Sequence, residues 1–209
     1  MVKVLIADDH SAIRKGVKLL LQAEFDEIEF GEVANALDAY KSAKQNQWDL
    51  LIMDMDMPGR NGLEALKQLK DEGVQIKTLI FSMHPEDQIA VRALKAGAYG
   101  YLTKDAEEGE LSRAVHTILA GKKFITPAVA EQMALQLENP SDKPPHELLS
   151  DREYQTLLLF ASGKTVSQIA QELSLSVPTI STYRARILEK MGLKNNAELT
   201  RYALENKLV

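Results

Sequence analysis

Residues 50–59 read Leu50-Leu51-Ile52-Met53-Asp54-Met55-Asp56-Met57-Pro58-Gly59. Four apolar residues predict a buried strand, and a carboxylate sits where that strand should end. Packing gives a core strand no reason to carry acid at its tip, so the acid needs a task of its own. Similar apolar or alternating runs lie at 2–7, 28–33, 78–81 and 99–102, each bounded by polar or Gly-containing turns. Between them Ile13/Gly16/Val17/Leu20, Leu63/Leu66/Leu69, Ile89/Leu94 and Leu111/Ala114/Val115/Ile118 recur at helical spacing. Pro85 at a first helical position and the acidic run Glu107-Glu108-Gly109-Glu110 are read as helix starts. Five strand–helix repeats predict an α/β domain, a five-stranded parallel sheet with helices on both faces. Its sites belong at the C-terminal ends of the strands.

From about 126 the pattern changes. Thr126 is expected to cap a helix over 127–137, and residues 138–147 hold three prolines and few apolar groups, a stiff solvated linker. From 148 only short helices are predicted, near 151–162, 166–173, 177–191 and 196–206. Ser150-x-x-Glu153 and Thr165-x-x-Gln168 have capping-box spacing, and Gly163 and Gly192 are helix stops. The expected division is 1–125, a linker over 126–147, and an all-α four-helix domain over 148–209.

Composition narrows the function. The 209 residues contain no Cys, which excludes disulfides and thiolate metal sites. No apolar run is long enough to span a membrane and the N-terminus is unlike a signal peptide, so no membrane partner and a cytoplasmic location are expected. The net charge of -5 is spread as -4 over 1–126, -2 over 127–145 and +1 over 146–209. A nucleic-acid partner would have to use a local patch in the C-terminal part.

On the first domain, Asp8 and Asp9 follow strand one and Asp54 ends strand three. In a doubly wound order these strands are neighbours. Three converging carboxylates repel one another unless a cation sits among them, and oxygen-only ligation favours a hard ion such as Mg2+. Ser82 ends strand four and Lys104 follows strand five. Carboxylate, divalent ion, hydroxyl and ammonium at one rim form a cradle for a phosphoryl group, and a carboxylate can be its nucleophile.

These residues resemble a known family. Asp8-Asp9, the stretch from Asp54 to Gly62, Ser82, and Gly100-Tyr101-Leu102-Thr103-Lys104 are similar to the receiver domain of two-component response regulators, over residues 1–121. The resemblance implies a flavodoxin-like fold and transfer of a phosphoryl group from a sensor histidine kinase to Asp54. It implies Mg2+ held by Asp9 and Asp54, by Asp8 largely through water, and by the main-chain carbonyl of Asp56. It further implies that Ser82 moves toward the phosphoryl group and Tyr101 then turns inward; Tyr101 also reads as a half-buried strand aromatic, and the two readings are compatible. Many receivers have Pro after the Lys, whereas Asp105 stands here. Asp56 and His84, two residues beyond Asp54 and Ser82, have two open readings: they tune the lifetime of the phosphoryl group, or they are solvated rim residues.

In the C-terminal domain, helices 166–173 and 177–191 joined by Ser174-Leu175-Ser176 have helix-turn-helix spacing. Ile180, Tyr183, Ile187 and Met191 share the buried face of the second helix. Such hairpins also occur in protein-binding domains, so spacing alone leaves DNA open. Leu149-Ser-Asp-Arg-Glu153, the 163–170 stretch, Thr179-Ile-Ser-Thr-Tyr183 and Lys190-Met-Gly-Leu193 resemble LuxR-type helix-turn-helix domains. With the receiver they give the NarL/FixJ class. The likeness implies binding of double-stranded DNA, with Ser181, Thr182 and Ala185 at bases and Lys164, Arg184 and Arg186 at the backbone or flank. Ala185 stands where some members carry a base-reading basic residue, which shifts weight toward DNA shape. A homodimer on phosphorylation or DNA binding is expected, with helix 196–206 (Leu199, Tyr202, Ala203) either its interface or packed in its own domain.

Two rivals are set aside. Asp54-x-Asp56 after an apolar strand is similar to the nucleophile motif of haloacid-dehalogenase-type phosphatases, but there an acidic pair comes late; here it comes first, and Pro58 stands at the motif's fourth position. A DNA-binding protein with a relict pocket is disfavoured by the complete set of pocket residues. The expectation is a phosphorylation-switched transcription factor rather than an enzyme, in which the unphosphorylated receiver masks helix 177–191 or keeps the protein monomeric.

Overall fold

The computed structural model describes all residues except 58–60, 108, 139–143 and 207. It divides into two compact units, residues 1–135 and 136–209. Part of the proline-rich segment, Pro58 to Arg60, and Glu108 of the acidic run therefore lie outside the described residues.

The first unit alternates β1 Val2–Ala7, α1 Ser11–Glu24, β2 Ile28–Val33, α2 Ala36–Gln45, β3 Leu50–Met53, α3 Gly62–Asp71, β4 Lys77–Ser82, α4 Glu86–Ala96, β5 Gly100–Thr103 and α5 Glu110–Leu119. All strands are parallel, in the order β2-β1-β3-β4-β5, the flavodoxin-like arrangement. Both faces of β3 are covered, so all four of its residues are buried and apolar rather than alternating. On one face Val4, Ile6, Leu50, Ile52, Leu79, Phe81 and Leu102 pack with Val17 and Leu21 of α1 and Leu111, Val115 and Ile118 of α5.

Register fixes where the strand ends meet. Ala7 lies opposite Met53, and Ser82 opposite Thr103. The Asp54 amide donates to the Ala7 carbonyl at 2.8 Å, and the Lys104 amide to the Ser82 carbonyl at 2.8 Å. The ladders thus run one residue past the strands and bring the polar tips to one edge.

Several boundaries shift by a residue; β4, for example, runs one residue further at each end than its apolar run. β5 starts one residue later than its apolar run; Tyr99 leads into it, its amide donating to the Thr78 carbonyl and its carbonyl accepting from the Phe124 amide, each at 2.8 Å. Pro85 caps α4 in extended conformation instead of occupying its first turn. Gly109 caps α5 in the left-handed region, so Glu107 precedes the helix and Glu110 alone supplies charge to its first turn. The Lys104–Asp105 peptide is trans.

α6 Pro127–Glu138 begins at Thr126, whose hydroxyl accepts from the Val129 amide and donates to Glu86 of α4 at 2.9 Å. After a 3-10 turn at Pro145–Leu148 come α7 Asp151–Ala161, α8 Val166–Glu172, α9 Val177–Met191 and α10 Asn196–Glu205. Both capping boxes are present. Gly163 and Gly192 have φ of 84° and 66°, the left-handed region that ends helices at little steric cost.

Glu153 does more than cap. It is buried, accepts from the Ser150 amide at 2.8 Å, and pairs with Lys190 of α9 at 2.6 Å. Burial alone would raise its carboxyl, but Lys190 and the Ser150 amide outweigh this and hold it below the ordinary 4.5. A depressed folded value means stability that is present above pH ~4.5 and lost as pH falls through the folded value. Glu153→Gln should therefore destabilise the C-terminal unit by about 1–2 kcal/mol at pH 7. The gap to wild type should close below pH ~4.5. Amide exchange in α7 as a function of pH checks this; a gap independent of pH would contradict it.

Candidate functional site

The pocket at the C-terminal edge of the sheet is built by strand ends, and its side chains are mostly buried. Asp8, Asp54 and Ser82 are each under 5 % exposed. The Lys104 ammonium lies 2.7 Å from Asp8 Oδ2 and 2.9 Å from Asp54 Oδ2, bridging the tips of β1 and β3 from the loop after β5. Asp8 Oδ1 accepts from the His10 amide at 2.7 Å, which leaves that carboxylate fully engaged. Asp54 differs: its Oδ1 is buried and has no hydrogen-bond partner. Asp9 Oδ1 also lacks one, although the His10 ring nitrogen lies 2.8 Å away.

Burial pushes the Asp54 carboxyl above its ordinary value; Lys104 opposes this, while Asp56 and Asp8 add to it. Burial alone would lower the Lys104 ammonium, but Asp54 and Asp8 outweigh it and hold it above the ordinary range. Ligand atoms of Asp8, Asp9, His10 and Asp54 all lie within 4.8 Å of one another. Two oxygens without partners in a carboxylate-rich cluster fit a hard divalent cation. His10 was not singled out in the sequence; the adjacent Asp pair is the signal that could have drawn attention to it.

The loop after β3 is held tightly. A Cβ on Gly62 would sit 2.4 Å from the Asp54 carbonyl oxygen, so only glycine lets α3 start so close to the acid. Asn61 caps that helix through the Leu63 amide at 2.8 Å. At the mouth, Asp56 Oδ2 and His84 Nε2 are 2.7 Å apart, both partly exposed. The residues read as either tuning groups or a solvated rim are thus joined into a bridge between the loops after β3 and β4. Tyr101 is buried, and its hydroxyl donates to the His84 carbonyl at 2.7 Å. Burial raises its pKa and a hydrogen bond with Ser82 offsets part of the rise. The ring therefore stands inward, deeper than a half-buried strand aromatic.

In the second unit, the α8–α9 turn passes through Ser174 at φ 52°, the one non-glycine residue with positive φ among the described residues. Ile180, Ile187 and Met191 are buried, whereas Ser181, Thr182, Ala185, Arg186 and Glu189 are exposed. The three cations expected at a DNA backbone differ in availability. Arg186 is exposed. Arg184 is half-buried and donates to Asn196 Oδ1 at 2.5 Å, and Lys164 pairs with Glu172. Helix α10 is packed within its own unit at the positions considered for a dimer: Leu199 and Ala203 are fully buried, and the Tyr202 hydroxyl lies 2.9 Å from His146 Nδ1.

Residues 4–116 match the response regulator receiver domain family, and residues 147–203 the luxR family of bacterial regulatory proteins. The chain is a response regulator of the NarL/FixJ class. It is 34 % identical over 209 residues to the response regulator UvrY of Escherichia coli K12, covering 100 % of this chain and 96 % of UvrY. It is 36 % identical over 211 residues to the response regulator GacA of Pseudomonas aeruginosa, covering 100 % and 98 %. Among solved structures it resembles RcsB of Salmonella enterica serovar Typhimurium bound to promoter rprA in the presence of the phosphomimetic BeF3-, with a TM-score of 0.62 and 25 % identity over 97 % of this chain and 98 % of that one. Membership makes this response regulator a transcription regulator with a receiver and a LuxR-type DNA-binding domain. Among the described residues no helix is long and apolar enough to cross a membrane.

Removing the bridging cation tests the electrostatics of the pocket. Lys104→Met leaves two buried carboxylates without their shared partner and should cost the receiver about 3 kcal/mol or more at neutral pH. Millimolar Mg2+ should restore part of it. Thermal unfolding with and without Mg2+ reads both effects; a variant that melts like wild type in chelator would contradict the clamp.

Proposed function

We propose that this response regulator accepts a phosphoryl group from a sensor histidine kinase on Asp54, and that the modification controls sequence-specific binding to double-stranded DNA. The observation that carries the proposal is Asp54 Oδ1, buried and without a partner while Oδ2 is held by Lys104. One oxygen fixes the carboxylate and the other is left to react. In the transfer, Asp54 Oδ1 forms a bond to phosphorus as the bond from phosphorus to the kinase imidazole nitrogen breaks. The electron pair of that bond leaves with the imidazole.

Asp8, Asp9 and Asp54 would hold Mg2+, with the Asp56 carbonyl as a further ligand. When bound, the ion would offset the charge of the phosphoryl oxygens. Lys104 supplies a second positive charge on the same edge, and the Ser82 hydroxyl a hydrogen-bond donor. The burial of Lys104 and Ser82 keeps both groups in place before the phosphoryl group arrives. Ser82 also accepts from the His84 amide at 3.3 Å, which ties it to the loop carrying Tyr101's hydrogen-bond acceptor. A phosphoryl group that draws Ser82 toward it would therefore pull on that loop and on Tyr101.

We assign the Asp56–His84 bridge a role in the lifetime of the modification, because it joins the loops after β3 and β4 two residues beyond Asp54 and Ser82. Domain coupling follows the same reading: the unphosphorylated receiver masks α9 or keeps the chain monomeric, and phosphorylation yields the homodimer that binds DNA. With acetyl phosphate and Mg2+, mass spectrometry should find one labile phosphoryl adduct on Asp54. Its decay should be several-fold faster in Asp56→Asn and His84→Ala. No adduct would refute the acceptor assignment; an adduct with unchanged decay in both variants would refute only the bridge.

A further inference from the structure

The exposed face of α9 is poor in hydrogen-bond donors. Pro178, Thr182, Ala185 and Glu189 follow one another at i, i+4, i+7 and i+11 and form one outward stripe, all exposed. Val177, at the start of the helix, is 46 % exposed. The two hydroxyls on this face are not free to donate. Ser181 Oγ donates to the Val177 carbonyl and Thr182 Oγ1 to the Pro178 carbonyl, each at 3.0 Å. Each hydroxyl proton is spent inside the helix, and what faces outward is lone pairs and methyl groups.

The nearby cations do not fill the gap at the centre of the stripe. Arg184 is bound to Asn196 and Lys190 to Glu153, while Arg186 lies to one side of the stripe. Glu189 closes its C-terminal end with a charge that repels phosphate. Only the first two turns can therefore enter a groove. Guanine is read in the major groove by donors to O6 and N7, typically Arg or Lys. Thymine alone presents a methyl group there, and it is met by apolar contacts from Ala or a Thr methyl.

Resting on the DNA-binding reading above, we propose that Thr182 and Ala185 read thymine 5-methyl groups in each half-site, and that the lone pairs of Ser181 and Thr182 accept from adenine or cytosine amino groups beside them. The specificity of this helix is apolar contact plus acceptance rather than guanine recognition.

The test selects binding sites from a random duplex library with the full-length chain treated with acetyl phosphate and Mg2+, then replaces half-site thymines by deoxyuridine, which removes only the methyl. Each contacted methyl should be worth about fourfold in affinity. Thr182→Ser keeps the hydroxyl and deletes the side-chain methyl. It should weaken binding to the thymine duplex by a similar factor and leave binding to the deoxyuridine duplex unchanged, because the two methyls form one contact. Enriched sites whose deoxyuridine forms bind as well as the parent would overturn the inference while leaving the DNA-binding reading intact. So would discrimination that resides in guanines and collapses in Arg186→Ala. A selection that enriches no sequence would overturn both.

Discussion

Two buried carboxylates, Asp8 and Asp54, share one buried ammonium, and the rest of the receiver is arranged to make that possible. Like charges about 4 Å apart repel by roughly 4 kcal/mol at an effective dielectric near 20. That is a large fraction of the stability of a domain. Lys104 offsets the repulsion by bonding both acids, and it reaches them because β1, β3 and β5 end at one edge. The clamp takes one oxygen of each acid; the His10 amide takes the second oxygen of Asp8, and Asp54 keeps one without a partner. The pocket is paired enough to fold, yet it leaves one buried carboxylate oxygen without a partner.

The groups around the clamp are connected to one another. Ser82 and Tyr101 both contact His84 through its backbone, and His84 reaches Asp56 through its ring. The loops after β3 and β4 and strand β5 are therefore linked through one residue, which the sequence left open between a group that tunes phosphoryl lifetime and a solvated rim group. The DNA-binding unit uses charge more sparingly. Lys190 and Arg184 stabilise the helical scaffold, and the outward face of α9 is left to small side chains with their hydroxyl protons already committed.

Much of this was legible from the chain itself. Strand and helix order followed from apolar periodicity, because β1, β3, β4 and β5 are largely buried while helices such as α1, α2 and α5 bury one face. The site followed from acids, hydroxyl and Lys at the ends of separate strands, where no core position would place them. Both capping boxes were readable because the motif is local. The misreadings were of other kinds. Pro85 and the acidic run before α5 pointed to helix starts, but Gly109 adopts a left-handed cap that a charge pattern does not encode. For helix 196–206 the sequence left two readings open, and Leu199 and Ala203 pack within their own unit; a short amphipathic helix looks the same from sequence whether its partner is in the same chain or another. The Asp56–His84 pair and the bond from Arg184 to Asn196 depend on distances across 28 and 12 residues, and no spacing rule reports those.

The central claim is that modification of one clamped carboxylate governs DNA binding. It is tested most directly by titrating a selected operator with the full-length chain, wild type and Asp54→Asn, with and without acetyl phosphate and Mg2+. The phosphodonor should tighten wild-type binding at least tenfold, a coupling of about 1.4 kcal/mol, and leave Asp54→Asn unchanged. Equal affinity for both proteins under every condition would contradict it.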